Sequence, residues 1–191
     1  MGFAISWIAL KGANRKSVLD RLALNETAER SDEPEADILA AELRGGWLLI
    51  LHNRRCDFAD GLPLRELSRL APVVTCAVEE HVMYSAASQW SGGERRWQVI
   101  HDSEQGLTHL AVDGTPPDSL KAFQSDALAQ LQAEGGEESR VDFVFDVPVK
   151  LAEELVEFKH DRYPPADAPD GYITLIAAPR RSFLFSLFRK R

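Results

Sequence analysis

Residues 73–112 read VVTCAVEEHVMYSAASQWSGGERRWQVIHDSEQGLTHLAV. The apolar run 73–78 is followed by a second strand-like run from Val82 or Met83 to Trp90. Ser91-Gly92-Gly93-Glu94 is a turn, and 95–100 and 107–112 read as the arms of a hairpin around residues 101–106. β-Branched and aromatic residues bounded by glycine and polar turns mark strands, and strands joined by short turns pair antiparallel. Three or four such strands in succession predict an antiparallel meander with helices packed on one side.

Upstream, residues 3–10 (FAISWIAL) form a well-buried strand, and 47–51 (WLLIL) form another after the Gly45-Gly46 turn. Between them Asn14 can cap a short helix whose Val18, Leu19 and Leu22 face the core. Residues 25–37 (NETAERSDEPEAD) are polar and acidic, which predicts a solvent-facing linker. Residues 38–43 read as a short helix or an irregular approach. A helix follows Pro63, with Leu64, Leu67 and Leu70 on one face, and Pro72 stops it.

Downstream, Thr115 reads as an N-cap with Pro116 at N1 and Asp118 at N3. Leu120, Phe123, Ala127, Leu128 and Leu131 continue that helix as an apolar stripe until Gly135-Gly136. Residues 141–147 alternate in the manner of a strand. Pro148 opens a helix with Leu151, Leu155 and Phe158 on one face, residues 159–171 form a loop, and 172–178 form the last strand. The expected class is α+β: a mixed, largely antiparallel sheet with three to four packed helices and a short basic C-terminal tail. Residues 1–179 are expected to form one domain, with a subdivision near residue 114 as the alternative, and residues 180–191 to form the tail.

The chain has 191 residues, 45% hydrophobic and 27% charged, the balance of a folded globule. Its net charge of −8 is unevenly spread. Residues 180–191 hold five basic side chains and no acidic one. Removing those five from the 22 basic residues leaves 17 against 30 acidic ones, so the body stands at −13. An acidic body repels phosphate, which argues against nucleic-acid binding and for a basic protein partner. No run reaches the length of a membrane span. The N-terminus lacks the basic region of a signal peptide and reads as a strand, so a cytoplasmic, bacterial protein is expected. Gly2 and Ser6 match the myristoylation pattern only formally.

Five histidines occur, none in a close ligand pair. His101 and His109 lie on the two arms of the predicted hairpin and face the same way. With Asp102 they define the candidate acid–base cluster, and His160, followed by Asp161, is its more distant member. Turn or cap roles for His101-Asp102, and a favourable helix C-terminal position for His160, are the simpler readings. Cys76 reads as a buried hydrophobe, whereas Cys56 after Arg54 and Arg55 is placed to have a lowered pKa. Trp90 and Trp97 flank one turn and can stack across it. No GxSxG elbow, phosphate loop or metal-ligand spacing is present, so neither a cofactor nor a metal is expected.

In the tail, Phe183, Leu184, Leu187 and Phe188 recur at helical spacing between Arg180 and Arg181 on one side and Arg189, Lys190 and Arg191 on the other. Such a segment can dock on a partner, on the acidic body or on an anionic membrane surface. The expected function is non-enzymatic protein binding through an acidic surface, of inhibitor or immunity type. The alternatives are a small hydrolase with a His/Asp site and a membrane-peripheral protein tethered by the tail.

Overall fold

The computed structural model describes residues 2–162 and 171–179. The basic tail therefore lies outside the described residues. Among the described residues nine strands form one sheet: β1 (Ala4–Lys11), β2 (Leu24–Ser31), β3 (Ile38–Leu43), β4 (Trp47–His52), β5 (Val73–Glu79), β6 (Tyr84–Ser91), β7 (Glu94–Asp102), β8 (Ala111–Gly114) and β9 (Tyr172–Ala177). Four helices among the described residues accompany them: α1 (Arg15–Leu22), α2 (Leu64–Leu70), α3 (Ser119–Ala133) and α4 (Asp146–Val156). The strand order is β2-β9-β3-β4-β1-β5-β6-β7-β8. Every pairing is antiparallel rather than mixed. The fold is α+β.

The meander of residues 73–112 is present as β5 to β8, but helices cover both faces of the sheet, not one. The reason is in the central strands. β1 is buried at six consecutive positions, which only a strand covered on both sides can be. One face carries Ile5, Trp7, Leu49, Leu51, Val74, Cys76, Trp97 and Val99, and packs on α3 and α4. The other carries Ile8, Leu10, Leu48, Ile50 and Val73, and is covered by Val18 and Leu19 of α1 and Leu67 of α2. Asn14 caps α1 as its sequence suggests, its Oδ1 accepting the Ser17 N–H at 3.0 Å. In α2 the three-residue spacing drifts off the core, so Leu67 is buried while Leu70 is exposed.

Four local expectations are corrected. Residues 25–37 are not simply a linker, because residues 24–31 form edge strand β2, paired with β9. Residues 38–43 form strand β3, held between β4 and β9. α3 begins at Ser119, after Asp118, so Thr115 is not its cap. Residues 141–147 are not a strand; α4 already begins at Asp146, and their apolar side chains enter the core from a turn (Val144, Phe145) and from the first turn of the helix (Val147).

Candidate functional site

Three of the four histidine-cluster candidates meet. His101 sits near the end of β7 with no exposed surface. Its Nδ1 lies 2.7 Å from the carbonyl oxygen of His109, and its Nε2 lies 2.8 Å from Oδ2 of Asp142. The His101 and His109 rings stand 6.2 Å apart. His109 Nδ1 accepts the backbone N–H of Asp102 at 3.0 Å. Asp102 itself caps the following 3-10 turn, accepting from Glu104 N–H at 3.1 Å and from Gln105 Nε2 at 3.0 Å. The Gln105 hydrogen bond is the main reason its carboxyl is held below the ordinary range.

The pairing differs from a tight hairpin. The 3-10 turn at Ser103–Gln105 lengthens the connection, so Val99 faces Val112 rather than His109. His101 is consequently not a turn residue. It is a buried tie between β7, the segment before β8 and the entry to α4.

A carbonyl oxygen and a carboxylate both accept, so His101 has to donate from both nitrogens, the configuration of an imidazolium. Burial opposes that charge, but the hydrogen bonds to Asp142 and to the His109 carbonyl outweigh it, and the His101 pKa is raised. Asp142 is the partner that sequence reading misses. It lies in an apolar alternating run that mimics a strand, and its other oxygen accepts the Phe145 N–H at 3.1 Å. Ser85, the cross-strand neighbour of His101, gives its hydroxyl proton to the Phe145 carbonyl at 2.6 Å. With both imidazole nitrogens committed, no nucleophile among the described residues is bonded to His101.

His160 lies elsewhere. It is not at the end of α4, which closes at Val156 with Glu157 in the left-handed region. It is buried against Phe3, ring centroids 5.1 Å apart at 82°. Among the described residues neither ring nitrogen has a hydrogen-bond partner, and Glu80 at 3.9 Å is too distant for one. Desolvation dominates and lowers its pKa, so His160 is held neutral. The sign for stability follows: the folded state resists protonation, so stability is full above the ordinary value of 6.5 and is lost as pH falls below it. His160→Phe is expected to abolish this acid-side loss and to stay within about 1.5 kcal/mol of the parent at neutral pH. Urea denaturation at pH values on both sides of 6.5 checks it; an unchanged acid limb would refute the assignment.

Both cysteines are free thiols. Burial pushes Cys76 up to about 12. Cys56 is raised, not lowered: partial burial comes first, followed by Glu79, Asp57 and Asp60, while Arg54 and Arg55 are engaged by Asp37 and Asp57. Trp90 and Trp97 do not stack, because a register shift between Gln89 and Trp90 sends them to opposite faces. Trp97 enters the α3–α4 core, and Arg95 instead lies over the Trp90 ring, 6.0 Å from its centroid.

A second feature has no counterpart in the sequence expectations. Beside α2 on the other face is a cleft of about 380 Å³, floored by Thr75, Ala77, Ala86 and Ser88. Trp90 and Arg95 stand at one end, and Tyr84 and Asp60 line it as well. Among the described residues no group of three or more His, Cys, Asp and Glu is placed to hold a metal ion. No described helix is long and apolar enough to cross a membrane. No family model matches the chain, and comparison with curated proteins and with solved structures gives no match.

Proposed function

We propose that this chain is a non-enzymatic binding protein whose recognition surface is the acidic edge of the sheet formed by β2 and the turn after it. The carrying observation is the coincidence of an open strand edge with unpaired acid. Among the described residues β2 stands at the end of the strand order, bonded on one side only, to β9. Glu26, Glu29, Asp32, Glu33, Glu35 and Asp37 are all exposed along residues 26–37, against one base, Arg30. Glu26 is neutralised by Arg15 and Asp37 by Arg54. Among the described residues Glu29, Asp32, Glu33 and Glu35 have no ion-pair partner.

An open edge offers backbone N–H and C=O groups to an incoming extended segment, and the carboxylates select a basic one and repel acidic competitors. The same charges keep copies of this chain from pairing edge to edge. Reversing three of them, Glu29→Lys, Glu33→Lys and Glu35→Lys, is expected to weaken binding of a captured basic partner by about tenfold or more, mainly through a slower on-rate. Thermal stability should change little, because all three side chains are solvated. Hydrogen exchange of the complex should show the β2 amides newly protected. A partner that binds the triple variant unchanged, or leaves β2 unprotected, would overturn the reading.

A second reading, a small hydrolase, is favoured by the His101–Asp142 pair, whose 2.8 Å contact resembles the base-and-orienter half of a catalytic triad. It requires a route to His101, whose ring has no exposed surface. Turnover of a model ester that disappears in His101→Gln, with the fold retained, would favour this reading over the first.

A further inference from the structure

The cleft beside α2 supports an assignment independent of the β2 edge, which stands at the far end of the sheet from β7. A sheet face left open by its helices ordinarily carries long polar side chains. Here the floor is Thr75 and Ala77 from β5 beside Ser88 and Ala86 from β6, paired in register. Thr75 and Ser88 satisfy each other through a 2.7 Å hydroxyl contact, and the Trp90 indole N–H donates to Ser88 at 3.0 Å. The floor is therefore small, hydrogen-bonded within itself and fixed in position. The wall is Leu62, Pro63 and Leu64 at the start of α2.

The charges around this recess are unequal in what they hold. Arg95 is committed to Gln98 at 2.6 Å and Asp113 at 2.9 Å. Asp60, Arg65 and Glu66 also line the cleft, and among the described residues none of the three side chains has an ion-pair or hydrogen-bond partner. Asp60 and Arg65 carry opposite sign and do not pair with each other. A carboxylate and a guanidinium left open beside an apolar, small-residue floor are complementary to a molecule with separated charges of both signs and a short apolar body.

We propose that this cleft binds a small zwitterion, an α-amino acid or short peptide with free termini, its ammonium at Asp60, its carboxylate at Arg65 and its body over Ala77 and Ala86 beside Trp90. The volume suits the class, lying within the range of small-ligand pockets, about 300–1,000 Å³.

The test is isothermal titration calorimetry of the full chain with the common free amino acids and with trialanine, each against its N-acetylated and its C-amidated form. At least one uncapped probe is expected to bind saturably, and capping either terminus should weaken it by about tenfold or more. Asp60→Asn should abolish the penalty for N-acetylation only, and Arg65→Gln the penalty for C-amidation only. Both positions are exposed and unpaired, so both variants are expected to fold, which their thermal transitions will show. Ala86→Leu, which fills the floor, should abolish binding. Absence of saturable binding by every probe, equal binding of capped and uncapped forms, or indifference to both charge variants would each overturn the proposal.

Discussion

Asp142→Ala is expected to lower the unfolding free energy by about 3–5 kcal/mol, because it leaves a buried imidazolium without its counter-charge. His101 has no exposed side chain and Asp142 only 4%, so water cannot replace the lost contact. The substitution also removes the acceptor of the Phe145 N–H at the entry to α4. For a chain of this size each kcal/mol moves Tm by about 2–4 °C, so a fall of roughly 6–20 °C is expected by calorimetry. Asp142→Asn should cost distinctly less. Its carbonyl can keep the Phe145 bond while its amide donates to Nε2 of a neutral His101, whose Nδ1–H still reaches the His109 carbonyl.

The pair also sets an alkaline sensitivity. The folded pKa of His101 is raised above 6.5. Its contribution is therefore fully present below that value and is lost as pH rises through the folded pKa. In Asp142→Asn this loss should vanish, and a buried neutral His101 should add its own acid-side loss to that of His160. Guanidinium denaturation of parent and variant across neutral to alkaline pH measures the difference. Parallel profiles would show that His101 is not the group responsible.

Trp7→Ala is the second large effect, expected at about 3–5 kcal/mol. Trp7 lies on the central strand β1, is 1% exposed and meets Phe158 edge-on with ring centroids 5.5 Å apart. Removing the indole opens a cavity where β1 meets the α3–α4 layer. Trp7→Phe should cost no more than about 1.5 kcal/mol, since it keeps most of the aromatic contact. It also removes an indole N–H that has no hydrogen-bond partner among the described residues. Similar losses for the two variants in urea titrations would contradict this account.

The strongest strands are visible in the sequence because burial on two faces demands unbroken apolar runs. Residues 3–10, 47–51 and 73–78 are such runs, and they are the middle of the sheet. The same runs already contradict a sheet with helices on one side, since a strand with one wet face alternates. β2 has almost no such signal. An edge strand needs only backbone pairing on one side, and NETAERS is polar at nearly every position. Its partner β9 lies far along the chain, so no local pattern announces the pair. β3 is short and alanine-rich, and it becomes a strand because β4 and β9 hold it on both sides.

The candidate site divides in the same way. His101, Asp102 and His109 can be grouped from one hairpin, because neighbours in sequence are constrained to be neighbours in space. Asp142 cannot be, since it reaches His101 across 41 positions and belongs to a segment whose alternation imitates a strand. The cleft beside α2 is equally silent, because Ala77, Ala86 and Ser88 are unremarkable until a helix stops short of covering them. Sequence by itself determined the apolar central strands, the capped α1, the β5 to β8 meander and an acidic body with a basic tail, all consequences of local periodicity and composition. Tertiary structure alone decided the β2 and β3 pairings, the two-sided helical cover, the raised pKa of His101 and the lowered pKa of His160. Those depend on which groups burial brings together, and the energy of a buried charge is set by its partner rather than by its own identity.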